Sequence, residues 1–170
     1  MLRPLSSRAR DVWGARGLRI AAASDHAGVS LKTELVNWLR DARSHDVDDQ
    51  GPFDAGTSVD YTSYAESVSA AVASGEADLG LLVCGTGVGM SMAANKSAAA
   101  VRAAAVSDTF SARETRRHND CNVLCLGQRV VGAGLAQDIV AAWLDAEFEG
   151  GRHARRVEQI GRRMSELEGP

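Results

Sequence analysis

The sequence predicts an α/β fold with a parallel sheet of about five strands. Two observations carry this. Short apolar runs alternate with helix-length stretches from Leu18 onward, and no internal repeat or low-complexity tract interrupts them. Strands separated by helices imply a parallel sheet covered on both faces. The apolar run that ends in Cys84 is followed at once by a glycine-rich turn and a helix-like segment, the strand–turn–helix order of an open sheet.

The first strand is expected at Leu18–Ala23. A helix follows over Val29–Arg43, where Leu31, Leu35, Trp38 and Leu39 recur at helical spacing. His45–Asp48 reads as a weak strand. The turn-rich loop Gly51–Val59 leads into a helix near Tyr61–Ser74. Asp78–Val83 is the central strand and Gly89–Lys96 a short helix. Val101–Val106 is the next strand, with a helix from about Asp108 to Arg117. Asn122–Leu126 is a strand, Ala133–Ala146 a helix, and Arg152–Leu167 a charged terminal helix.

At 170 residues, 45% hydrophobic and 24% charged, the chain has the size and composition of a single globular domain. That domain is expected over residues 18–170. A net charge of −3 gives no reason to expect nucleic acid or a membrane surface as partner. Three cysteines form no disulfide framework, which fits a reducing cytoplasm. Residues 1–17 stand apart: Arg3, Arg8, Arg10 and Arg16 face a single acid, Asp11, with no apolar stretch of a secretory signal. A disordered basic extension is expected there.

The segment Leu81–Lys96 is the most informative. It sets a thiol, Cys84, at the carboxyl end of a strand, where open sheets bind ligands. The turn Gly85-Thr86-Gly87-Val88-Gly89 can aim several backbone N–H groups at one point, and a helix N-terminus adds its dipole, so an anion is favoured there. A base beside an anion cradle suits proton abstraction next to a carbonyl. The turn is neither a P-loop, since Lys96 follows Asn95, nor a dinucleotide fingerprint, since Met90 replaces the third glycine. A tight turn with a buried cysteine accounts for the same residues without any chemistry.

Other polar residues collect at strand ends. Asp25 and His26 follow the first strand and belong at the same edge as Cys84; a helix cap by Ser24 or Asp25 is the structural alternative. His118 and Asn119 close a helix before a strand, which puts them at the opposite edge. They reach Cys84 only if a second subunit presents them. The structural alternative is a helix C-terminus, where His suits the dipole and Asn a left-handed backbone. Arg152 and Arg156 share a helix face, either as solvated surface or as an anion clamp, with Gly150-Gly151 letting that helix start close to other backbone. Arg129, after the last strand, adds to the same charge. A zinc site at His118, Cys121 and Cys125 is disfavoured, because four strand residues span roughly 13 Å.

Together these residues resemble the ribose-5-phosphate isomerase B family, which includes galactose-6-phosphate and allose-6-phosphate isomerases. The resemblance runs from about Arg19 to Ile160. It rests on Ser24-Asp25-His26-Ala27-Gly28, Asp60-Tyr61, Cys84–Gly89, Ala93–Lys96, Arg117–Asp120, Gly127–Gly132 and Glu149–His153. It implies a Rossmann-like three-layer sandwich that interconverts an aldose phosphate and a ketose phosphate, ribose 5-phosphate and ribulose 5-phosphate, without metal or nucleotide cofactor. By family role Cys84 is the base between C1 and C2, and His118 opens the sugar ring with Asp25 assisting. Thr86 and the amides of Gly85, Gly87, Val88 and Gly89 hold the enediolate, and Tyr61 belongs to the substrate site. His26, Arg129, Arg152 and Arg156 bind the phosphate, and Asn119 meets substrate hydroxyls.

The resemblance further implies a homodimer with shared sites, in which the partner supplies His118, Asn119 and Arg129; whether dimers pair into tetramers stays open. A related subfamily uses a glutamate six residues after the cysteine. Here that position is Met90, so the cysteine mechanism is the consistent one. Two departures, Thr62 in place of a proline and a slightly long Gly51–Val59 loop, leave the preferred sugar open among tetrose, pentose and hexose phosphates. A catalytically silent sugar-phosphate-binding module is the alternative from another class. The intact Cys84, Thr86 and His118 argue against it.

Overall fold

The computed structural model describes residues 17–168, with side chains through residue 162. Apart from Gly17, the stretch read as a basic extension lies outside the described residues. Five strands, β1 (Arg19–Ser24), β2 (Asp46–Asp49), β3 (Leu79–Cys84), β4 (Ala103–Ala105) and β5 (Val123–Gly127), form one sheet in the order β2-β1-β3-β5-β4. Every pairing is parallel. Six helices connect and follow them: α1 (Val29–Asp41), α2 (Tyr61–Ser74), α3 (Val88–Ser97), α4 (Thr109–Asn119), α5 (Ala133–Leu144) and α6 (Arg152–Glu168).

Handedness decides which face each helix covers. The chain moves one way across the sheet from β1 to β2 and from β4 to β5, and the other way from β2 to β3 and from β3 to β4. Right-handed crossovers therefore put α1 and α4 on one face and α2 and α3 on the other. The core obeys this. Ile20, Ala22, Leu79, Leu81, Val83, Leu124 and Leu126 pack against Leu35 and Leu39 of α1, Ala112 of α4 and Ile139 and Trp143 of α5. The intervening residues Ala21, Ala23, Leu82, Cys84, Val123 and Cys125 face Ala65 and Val68 of α2 and Met90 and Ala94 of α3. Alternation along each strand thus sends Cys84 toward α3. The sandwich is Rossmann-like, as expected.

The expected elements all form, most with ends shifted by one or two residues. Two departures have local causes. The strand expected over Val101–Val106 shrinks to three residues, because the Arg102 N–H donates to Asn122 Oδ1 at 2.7 Å instead of joining a ladder. Neither Ser24 nor Asp25 caps α1, whose N-cap is Gly28 with no side-chain bond. Gly28 is needed there for closeness: a Cβ would lie 2.4 Å from the Val83 carbonyl oxygen. Among the described residues no helix is long and apolar enough to cross a membrane.

Candidate active site

The switch point of this sheet lies between β1 and β3, whose neighbours run off in opposite directions. Ligands of open α/β sheets bind in the crevice outside the carboxyl ends there. Cys84 ends β3, is 5% exposed, and its Sγ accepts the Gly87 N–H at 3.1 Å. Gly87 is in the left-handed region (φ 79°) as N-cap of α3, so the turn folds the first amides of the helix back toward the sulfur. Thr86 is exposed at the tip, and its Oγ1 accepts the Val88 N–H at 3.4 Å. Close approach holds the turn down: a Cβ on Gly127 would come 2.7 Å from the Thr86 Cα. Tyr61, at the start of α2, lays its ring on Gly89, where a Cβ would meet Cζ at 2.9 Å.

Asp25 and His26 join this edge. The Asp25 N–H donates to the Val83 carbonyl at 3.1 Å, and Asp25 Oδ1 accepts the Ala27 N–H at 2.9 Å. The carboxylate is thereby fixed in its own turn, 8% exposed. His26 Nδ1 accepts the Val59 N–H at 3.2 Å, which leaves Nε2 to carry the proton and tethers the far end of the loop after β2. Lys32 holds the near end: its Nζ is 2.5 Å from Asp49 Oδ1 and 3.1 Å from the Pro52 carbonyl, 4.7 Å from the Phe53 ring centroid. Arg129 stands here as well. Its N–H donates to the Gly85 carbonyl at 3.1 Å, and its guanidinium is 3.4 Å from where a Gly85 Cβ would be. Arg129 is therefore beside Cys84 of its own chain, a correction to its expected delivery by a partner alone.

His118 and Asn119 are elsewhere. α4 descends from the carboxyl edge and ends where β5 begins, so both lie at the amino edge of the sheet. The length of β3 separates the two edges by roughly 17 Å. His118 Nε2 is 3.0 Å from Glu114 Oε2, and its ring stacks on His153, centroids 4.3 Å apart at 6°. The left-handed residue after α4 is Asp120 (φ 47°), not Asn119.

The terminal helix brings its arginines to the same place. The Glu149 N–H donates to the Arg117 carbonyl at 3.0 Å, Arg117 is ion-paired with Glu149, and Arg152 Nε donates to His153 Nε2 at 3.2 Å. Arg152 and, one turn on, Arg156 thus group with His118 and not with the Cys84 turn. Gly150 and Gly151 serve by left-handed backbone (φ 67° and 54°) with open space around them, a correction to the expected close approach. Burial, together with His118 and Arg152, lowers the pKa of His153 below 6.5.

Glu114, Glu149 and His153 are the residues that sequence reasoning left without roles. The run Glu149-Gly150-Gly151-Arg152-His153 marked the last two, whereas Glu114 is visible only as the residue four before His118. Cys121 and Cys125 face opposite sides of the sheet, so they cannot share an ion. Burial raises both thiols, Cys125 well above the usual value.

The ribose/galactose isomerase family model matches residues 20–160, which spans both edges and every residue placed above from Asp25 to Arg156. This chain belongs to that family. Its sugar-phosphate isomerase relatives include the ribose-5-phosphate isomerase B of Escherichia coli, 51% identical over 84% of this chain and 93% of that protein. The D-erythrulose-4-phosphate isomerase of Pectobacterium atrosepticum is 41% identical over 85% of this chain and 93% of its own length. Among solved structures, the Clostridium thermocellum ribose-5-phosphate isomerase B superposes with a TM-score of 0.85 at 47% identity, covering 88% of this chain and 99% of that one. The Trypanosoma brucei type B enzyme gives 0.82 at 39% identity, covering 86% and 99%.

Proposed function

We propose that this sugar-phosphate isomerase interconverts ribose 5-phosphate and ribulose 5-phosphate, in the cytoplasm, at sites shared between the two subunits of a homodimer. The observation that carries the chemistry is the 3.1 Å hydrogen bond from the Gly87 N–H to Cys84 Sγ at the start of α3. The bond and the start of α3 orient the sulfur at the mouth of the crevice, and a thiolate is the form that takes a proton. Cys84 removes the proton from C2 of the open-chain aldose and returns it at C1. The intermediate enediolate carries negative charge, so the amides of Gly85–Gly89 and Thr86 stabilise it more than the neutral sugar.

The remaining roles divide by edge. Asp25, His26, Tyr61 and Arg129 stand with Cys84, where His26 Nε2–H and the Arg129 guanidinium can meet the phosphate. His118 donates the ring-opening proton, Asn119 takes a sugar hydroxyl, and Arg152 and Arg156 complete the phosphate site. All four come from the partner, because one chain holds them at its amino edge. No metal or nucleotide enters this scheme.

A second reading, a tetrose phosphate as preferred substrate, is favoured by the Pectobacterium relative and its printed activity. Both readings are tested by kcat/KM for four- to six-carbon aldose and ketose phosphates in EDTA, with Cys84→Ala beside the wild type. The expected outcome is a preference for ribose 5-phosphate and a loss of about 10²–10⁴ in rate for the variant, which is the usual worth of a general base. Near wild-type turnover in Cys84→Ala would remove Cys84 from the mechanism. A four-carbon optimum would reassign the substrate.

A further inference from the structure

A backbone N–H can only donate. The Val59 N–H donates to His26 Nδ1 at 3.2 Å, so that nitrogen is bare and the ring's proton is on Nε2. The ring is half-buried, and among the described residues its Nε2 takes no hydrogen bond. The same contact has a second end. Residues 51–59 carry the chain from β2 to α2, and their near end is held by the Ser24 N–H on the Gly51 carbonyl at 2.9 Å and by Lys32 on the Pro52 carbonyl. The middle closes on itself: Asp54 Oδ1 accepts the Gly56 N–H at 2.8 Å, and Oδ2 accepts the Thr57 hydroxyl at 3.0 Å. The far end meets the turn after β1 at His26. Among the described residues no other hydrogen bond joins residues 54–59 to the strand ends.

We propose that Val59 is a positioning residue for phosphate binding: its N–H fixes His26 with Nε2–H as the donor, and phosphate held there in turn tightens the loop. An acceptor on Nε2–H polarises the ring and makes Nδ1 the better acceptor, so the two hydrogen bonds strengthen each other. The coupling is reciprocal: whatever order the loop lends to phosphate binding, bound phosphate returns to the loop. The tautomer stands on the Val59 contact alone, whereas the coupling to phosphate rests on the role given to His26 above.

The test uses the full-length protein and inorganic phosphate as probe. In 15N-labelled protein the imidazole NMR signals of His26 should be those of the Nε2–H tautomer; the Nδ1–H tautomer overturns the proposal. Saturating phosphate should slow hydrogen exchange at the Val59 amide about 3- to 10-fold, the worth of one hydrogen bond; exchange indifferent to phosphate overturns the coupling. Two substitutions separate the ring's ends. His26→Asn keeps an acceptor near the place of Nδ1, so the Val59 amide should stay protected while phosphate binding weakens. His26→Gln keeps a donor near the place of Nε2, so protection of that amide should be lost. Val59→Pro removes the N–H itself and should raise KM for ribose 5-phosphate and Ki for inorganic phosphate about 3- to 10-fold, more than it lowers kcat. An unchanged KM and Ki there, with phosphate binding weakened in His26→Asn, would refute the role of Val59 alone. Phosphate binding untouched in His26→Asn would remove His26 from the phosphate site and the coupling with it. Should Val59→Pro fold poorly, the tautomer and the exchange rates of the wild type still decide.

Discussion

His118 is half-exposed, with a carboxylate 3.0 Å from Nε2 and a second imidazole flat against its ring. If the role proposed for it, protonating the ring oxygen, holds, His118→Asn should cut turnover of the cyclic sugar by about 10²–10⁴ and spare an open-chain analogue. Equal losses on both substrates would make His118 a binding residue. His45 is a quieter site: Nδ1 accepts the Leu18 N–H at 3.2 Å, while Nε2 is buried without a partner. Burial first, and then Arg43, lower its pKa below 6.5, so the folded state favours the neutral ring. As pH falls below 6.5 the unfolded chain binds a proton that the folded chain resists, and stability is lost down to the folded pKa. Urea midpoints from pH 7.5 to 5.5 should therefore decline, with a shallower slope in His45→Gln. An identical slope in both would show that His45 contributes nothing.

The loop after β2 depends on one buried cation. Lys32 is fully buried, and its ammonium ties α1 to Asp49 at the end of β2 and to the Pro52 carbonyl. Removing one partner of a buried pair leaves the other charge uncompensated. Lys32→Met should cost about 3 kcal/mol in urea unfolding and raise KM more than it lowers kcat, because the same loop is tethered to His26. A change under about 0.5 kcal/mol would mean the pair is not holding the loop.

At this scale the sequence was legible where the signal is local. Leu31, Leu35 and Leu39 wrote α1, and the apolar run into Cys84-Gly85 wrote β3 and its turn. The docking of α6 was not legible. Its position depends on the Glu149–Arg117 contacts and the His118–His153 stack, which join residues 32 and 35 apart in sequence, so the shared helix face of Arg152 and Arg156 did not say at which edge they stand. Arg129 was given to the partner by the resemblance alone, and its contact with Gly85, distant in sequence, was not legible. The edge of His118, by contrast, followed from strand–helix order alone.

The whole molecule presents a site in two halves. One chain carries Cys84, proposed as the base, the amide cradle and Arg129 at the carboxyl edge, and carries His118, proposed as the ring-opening acid, and two arginines at the other. Under the proposed roles neither half isomerises a cyclic sugar phosphate by itself, and a second copy has to turn one edge toward the other. The direct measurement is complementation. Cys84→Ala and His118→Asn are purified, mixed in equal amounts, and exchanged under mild denaturant. Random pairing gives about half heterodimers, each with one site that keeps both residues, so about a quarter of all sites regain wild-type composition. Activity should rise from near zero to as much as about a quarter of wild type. Heterodimers shown to form, with activity no higher than in the separate variants, would mean that each site is completed within a single chain.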